Sequence, residues 1–138
     1  MISVCANVPQ LSRHVTTDQK SFPILIVDDD EPTQNLLRAV LRRCGYASEM
    51  ASNGREAMAR LQAKTYAAVI LDMMMPEVGG HEVLAFLGTT FSPVPVIVCS
   101  AAAPTALAGF DPAIVRAIVR KPFDIDQLVA AVTGIAHG

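Results

Sequence analysis

The chain has 138 residues, 51% of them hydrophobic and 17% charged, a balance that describes one folded domain with a substantial core rather than a disordered tail. Eleven basic against thirteen acidic side chains leave a net charge of −2, so no cationic excess exists to draw nucleic acid. Mean hydropathy is +0.38, yet charge, Pro or Gly cuts every apolar stretch short of the about 18–20 residues that a membrane-spanning helix requires.

Residues 1–21 show no sustained period, and their opening, MISVCANVPQLSRHV, lacks the basic start and long apolar run of a secretion signal. A loosely ordered N-terminal extension is expected there, followed by one domain over residues 22–138. Ile24-Leu25-Ile26-Val27, bounded by Pro23 and by Asp28-Asp29-Asp30, reads as a buried strand. Pro32 suits the first turn of a helix, Leu36, Leu37, Val40, Leu41 and Cys44 share one face of it, and Gly45 ends it. Tyr46–Ala51 predicts a second strand, Asn53-Gly54 a turn, and Glu56–Lys64 a helix with Ala57, Met58 and Leu61 aligned. Ala67–Leu71 is a third strand ending at Asp72, MMMPEVGG a loop, and His81–Leu87 a short helix. Val94–Cys99 reads as a fourth strand, AAAPTALAGFDP as the least regular stretch, Ile114–Arg120 as a fifth strand and Ile125–Ala136 as the closing helix.

Five strand candidates thus alternate with five helical ones. Several strands are continuous apolar runs, which predicts an α/β fold with a doubly wound parallel sheet and helices on both faces. Right-handed crossovers bring the C-terminal ends of such strands to one edge. Asp28 and Asp29 follow the first strand, Asp72 the third, Ser100 the fourth and Lys121 the fifth. Singly, each has an ordinary use as a cap or a solvated charge. Together they set three carboxylates, a hydroxyl and an ammonium on one edge. Carboxylates that close repel unless a cation joins them. Mg2+ takes few carboxylates and leaves room for phosphate oxygens, so it suits this set. The ammonium and hydroxyl would neutralise and bind the same phosphoryl group. No glycine-rich phosphate loop or dinucleotide fingerprint assigns that group to a nucleotide.

The motifs ILIVDDD, VILDMMMPEVGG, VPVIVCSA and IVRKPF, in this order over about residues 23–136, resemble the receiver domain of two-component response regulators. The resemblance implies a five-stranded flavodoxin-like fold of strand order 2-1-3-4-5, the order of the chemotaxis receiver. It implies Asp72 as phosphoacceptor and Mg2+ held by Asp28, Asp29, Asp72 and the backbone carbonyl of Met74. It further implies Ser100 as the switch hydroxyl and Lys121 as the phosphoryl-binding cation, positioned by a cis Lys121-Pro122 bond. Four places depart from the pattern. Ile118 stands where receivers carry Tyr, Phe or His, and Gly79 where they carry Asp. Ile114-Val115-Arg116 replaces a Gly-Ala-Asp-like turn, and Pro104, Gly109 and Pro112 make the fourth helix short or irregular. These departures bear on the output change rather than on phosphorylation.

The leading expectation is therefore a stand-alone receiver that accepts a phosphoryl group on Asp72 from a histidine kinase or histidine phosphotransfer protein. With no residues left after the last helix for a DNA-binding module, output is expected through contact with another protein, in the cytoplasm, without nucleic acid or membrane. Its own chemistry would be limited to Mg2+-dependent self-phosphorylation from a phosphodonor and slow autodephosphorylation, not enzymatic turnover. One alternative is a degenerate receiver that binds partners without phosphorylation, motivated by Ile118. The other is a haloacid-dehalogenase-like phosphohydrolase, against which Pro32 stands where that family needs Thr or Val. His14, His81 and His137 lack ligand spacing, and Met73-Met74-Met75 reads as packing and loop backbone. Arg38, Arg42 and Arg43 read as a solvated helix face. Cys5, Cys44 and Cys99, odd in number and without CxxC spacing, read as reduced thiols.

Overall fold

Ile24–Val27 forms β1 and is buried along its whole length, as a strand with no polar face must be when helices cover both sides. Ser48–Ala51 (β2), Ala68–Asp72 (β3), Val96–Ser100 (β4) and Val115–Arg120 (β5) join it in one sheet. The computed structural model describes residues 22–73, 79–89, 94–100, 110–121 and 124–137. All strand pairs are parallel and run in the order β2-β1-β3-β4-β5, the doubly wound order that the sequence motifs imply. Among the described residues there are four helices: α1 (Glu31–Arg43), α2 (Gly54–Ala63), α3 (Gly80–Gly88) and α4 (Ile125–His137). The expected helix between the fourth and fifth strands falls on residues 101–109, outside the described residues.

Alternation along the strands divides the core into two layers. Ile24, Ile26, Ile70, Ile97 and Val119 meet Leu37, Val40 and Leu41 of α1 and Leu128 and Val132 of α4. On the opposite face Leu25, Val27, Val69, Leu71 and Val98 meet Ala57 of α2 and Val83 and Leu87 of α3. Each fully buried Leu, Ile or Val contributes about 1.5–3 kcal/mol of transfer free energy, so the central strands anchor the edge where they end.

Helix ends account for most differences from the sequence boundaries. Gly45 has φ 91°, a left-handed conformation open to glycine. Its N–H donates to the Arg42 carbonyl, and the Tyr46 N–H donates to that of Leu41. This paired C-terminal cap takes Tyr46 out of the expected strand, and β2 begins only at Ser48. Asn53 caps α2 through its side-chain oxygen, which accepts the Glu56 N–H, so Gly54 opens the helix instead of completing a turn. β3 and β4 each run one residue further than expected, taking in Asp72 and Ser100.

Both sheet edges carry identifiable chemistry. On β2, Glu49 accepts from Tyr66 Oη at 2.7 Å and pairs with Lys64 Nζ at 2.5 Å and Arg60 Nη1 at 3.5 Å. These contacts tie β2 to α2 and to the segment entering β3. Burial, reinforced by the bond to Glu49, pushes the Tyr66 phenol up to about 12. On β5 the register shifts between Val96 and Ile97. Arg116 is the extra residue of that bulge, and Ile118 is left 42% exposed. No described helix is long and apolar enough to cross a membrane.

Candidate functional site

The pairing of Val27 with Leu71 places Asp28, one residue past β1, level with Asp72, the last residue of β3. Asp28 and Asp72 are 2% and 5% exposed, whereas Asp29 lies open at the surface. Each of the three offers a carboxylate oxygen, and these oxygens lie within 4.8 Å of one another. Lys121 follows β5, and its N–H donates to the Ser100 carbonyl at 3.0 Å. The side chain reaches across β4 to the acids: Nζ is 3.0 Å from Asp28 Oδ2 and 3.4 Å from Asp72 Oδ2. Ser100 ends β4 with no exposed surface. Asp72 pairs with Cys99, so alternation assigns Ser100 to the α2–α3 side and Asp72 to the α1–α4 side.

Electrostatics at this edge follow from burial and pairing. Burial raises the Asp28 carboxyl above its ordinary value, and the Asp30 N–H and Lys121 pull it only partly back. Burial acts to lower the Lys121 ammonium, but the Asp28 hydrogen bond and the charges of Asp28 and Asp72 outweigh it. Lys121 stays above its ordinary value, and so remains charged at neutral pH. Three carboxylates beside one ammonium leave the cluster two charges short of neutrality, a donor set of oxygens suited to a small hard divalent cation. Cys99, packed beneath the cluster, has its thiol pushed by burial to about 12, and among the described residues neither it nor the partly exposed Cys44 is in a disulfide.

Asp28, Asp29, Asp72 and Lys121 are thus brought into one constellation, with Ser100 at the same strand edge. Met74, Pro122 and most of the AAAPTALAGFDP stretch lie outside the described residues. His81 is separate from the acids and faces Phe110, with ring centroids 6.1 Å apart. Asp30 takes up the helix-capping use that the sequence offers for the Asp28–Asp30 acids, whereas Gln34 and Gly80 are supporting residues that escaped the sequence reading. Asp30 caps α1 by accepting from the Thr33 N–H and hydroxyl, and Gln34 donates from Nε2 to the Asp28 carbonyl. Gly80 packs so tightly on the end of β3 that a Cβ there would lie 2.9 Å from Met73 Cα and 3.1 Å from the Asp72 carbonyl oxygen. The acid three before Thr33 signalled the cap, and a glycine opening a helix signalled the close approach. Gln34 has no such signal.

A family model of the response regulator receiver domain matches residues 24–133. Response regulator MprA of Mycolicibacterium vanbaalenii is 38% identical over 109 residues, which cover 78% of this chain and 47% of MprA. The uncharacterized transcriptional regulatory protein YkoG of Bacillus subtilis is 36% identical over 111 residues, 79% of this chain and 48% of YkoG. The chain spans about half the length of the curated relatives it matches. Among solved structures, response regulator protein TrrA of Thermotoga maritima, in complex with Mg2+–BeF, superposes with a TM-score of 0.74 at 30% identity, covering 83% of this chain and 98% of TrrA. The receiver domain of Francisella response regulator 1452 gives a TM-score of 0.76 at 25% identity, covering 84% and 97%. A family match of this extent, carried by a fold that superposes on solved receivers, makes this chain a member of the response regulator receiver domain family of two-component signalling.

Proposed function

We propose that this chain is a phosphorylation switch in which Asp72 accepts a phosphoryl group from a phosphohistidine on a histidine kinase or histidine phosphotransfer protein. The observation that carries the proposal is the convergence of the Asp28, Asp29 and Asp72 carboxylates within 4.8 Å of one another, with Lys121 Nζ 3.4 Å from Asp72. One carboxylate oxygen of Asp72 attacks phosphorus in line with the P–N bond. The P–O bond forms, the P–N bond breaks with its electron pair leaving on the imidazole, and the product is an acyl phosphate. Lys121 holds its charge beside the oxygen that does not attack and neutralises the incoming phosphoryl oxygens. Ser100 supplies the switch hydroxyl at the end of β4, donating to a phosphoryl oxygen. Asp28, Asp29 and Asp72, with the backbone carbonyl of Met74, would hold Mg2+, which neutralises phosphoryl charge when bound. BeF, bound with Mg2+ by TrrA, is a stand-in for a phosphoryl group, which supports the same use of this edge.

Output is read as protein contact made by the receiver's own surface, in the cytoplasm, without direct contact to nucleic acid or membrane. The test is incubation with Mg2+ and a small phosphodonor, with released phosphate and protein mass followed together. The proposal predicts at most one phosphoryl group per chain at a time, dependent on Mg2+, with only slow phosphate release as the adduct hydrolyses and no turnover of phosphate esters. Sustained phosphate release from esters would instead indicate a phosphohydrolase. No adduct and no turnover would indicate a receiver that binds partners without phosphorylation.

A further inference from the structure

The Asp28-Asp29-Asp30 turn is bracketed by two hydrogen bonds. From one side, Gln34 on the first turn of α1 donates its side-chain Nε2 to the main-chain carbonyl of Asp28. From the other, the Asp30 N–H donates to Asp28 Oδ1 at 2.9 Å, while Asp30 is itself fixed to α1 by accepting from Thr33. Asp29 lies between these anchors. Its side chain is exposed, and among the described residues none hydrogen-bonds its carboxylate. The direction of that carboxylate is therefore set by the peptide planes on either side of it. The plane joining Asp28 to Asp29 is the one whose carbonyl Gln34 holds.

We propose that Gln34 is a positioning residue of the acid cluster, fixing the Asp28–Asp29 peptide so that Asp29 faces Asp72 before a divalent cation arrives. The inference rests on the reading of the cluster as a Mg2+ site. Gln34 touches neither the cation nor the phosphoryl group; it acts through the backbone of two of the proposed ligands. Groups that orient metal ligands from behind commonly change metal affinity by about 10–100-fold when removed. Gln34 orients a backbone rather than a ligand atom, so the effect belongs at the lower end. The same bond joins α1 to the acid turn, so cation binding and the seating of that helix are linked.

The test is calorimetric titration of MgCl2 into the full chain, comparing wild type with Gln34→Met and Asn35→Met. Methionine matches the length and helix propensity of glutamine but cannot donate. Asn35 is exposed on the same helix and controls for a general effect of an amide-to-thioether change. Amide exchange at Asp29 and Asp30 in the metal-free protein reads the turn directly. The expected result is Mg2+ binding about tenfold weaker in Gln34→Met, faster exchange at Asp29 and Asp30, a metal-free protein that still unfolds cooperatively with a melting temperature only slightly lowered by the lost hydrogen bond, and wild-type affinity in Asn35→Met. Equal affinity in wild type and Gln34→Met, or equal weakening in both variants, would overturn the positioning role while leaving the Mg2+ site intact. Absence of Mg2+ binding by wild type would overturn the site reading, and the inference with it.

Discussion

Lys121 Nζ spans Asp28 and Asp72, 3.0 Å from the first carboxylate and 3.4 Å from the second. One ammonium carried on the end of β5 therefore holds together two buried acids from the ends of β1 and β3, and links the middle of the sheet to its edge. Replacing it with methionine leaves two buried carboxylates facing each other. For fully buried pairs such a loss costs about 3–5 kcal/mol. Lys121 keeps 22% of its side-chain surface exposed, so Lys121→Met is expected to lose about 1–3 kcal/mol. Urea unfolding measures it, and added Mg2+ should narrow the deficit by restoring positive charge. A deficit that Mg2+ leaves untouched would mean that packing, not charge, is what Lys121 supplies.

Removing one acid should act in the opposite direction. In Asp29→Asn the cluster loses a negative charge that, among the described residues, no lysine pairs with, so the metal-free variant should melt at or above the wild-type temperature. Mg2+ should raise the wild-type melting temperature by binding the folded form, and raise that of the variant much less. Thermal unfolding with and without Mg2+ decides. A variant that melts lower without metal, or a wild type indifferent to Mg2+, would contradict the electrostatic account.

How much of this was legible in the sequence differs between strands and supports. β1, β3 and β4 are continuous apolar runs, and each is followed or closed by an acid or a serine, so both the sheet and the edge where the acids gather follow from pattern alone. Tyr46 misled because an aromatic residue is a strand former at the head of the mixed stretch Tyr46–Ala51, while the Gly45 cap uses its N–H to close α1. Asn53-Gly54 misled because the same dipeptide serves a turn or a helix start, and only the Glu56 N–H reaching back to Asn53 separates them. Gln34 was invisible because its bond joins a helix to a turn six residues earlier, and no periodic signal encodes that contact.

Gly80 offers a test of local packing beside Asp72. A Cβ at this position would meet Met73 Sδ, which can move, and Met73 Cα, 2.9 Å away, which cannot move without the backbone. Gly80→Ala gains up to about 1 kcal/mol of helix propensity but incurs an overpacking cost of about 1–3 kcal/mol. The expected net result is a loss of stability in chemical unfolding. A more stable Gly80→Ala protein would show that α3 slides freely on the end of β3.

Away from this edge, the Glu49 network sets a pH dependence. The Lys64 hydrogen bond foremost, then that of Tyr66, holds the Glu49 carboxyl below its ordinary 4.5. A carboxyl lowered by folding contributes stability that is complete above its unfolded value and fades as pH falls through its folded value. The stability advantage of wild type over Glu49→Gln should therefore be full at neutral pH and shrink progressively below about 4.5. Tyr66 has the converse sign: raised to about 12, it contributes fully below its ordinary 10.0 and its contribution is lost as pH climbs through the folded value. Urea midpoints across pH check the first statement, and tyrosinate absorbance of wild type against Glu49→Gln checks the second. A wild-type advantage that stays constant through the acid range would remove Glu49 from the account.

The most direct measurement is the position of the phosphoryl group itself. The chain is treated with Mg2+ and a small phosphodonor and then with borohydride, which reduces an acyl phosphate to the alcohol and marks the aspartate that carried it. Peptide mass then locates the mark. The proposed function predicts a single mark at Asp72, absent without Mg2+ and absent in Asp72→Asn. A mark elsewhere, a mark formed equally without Mg2+, or none in the wild-type protein would contradict it.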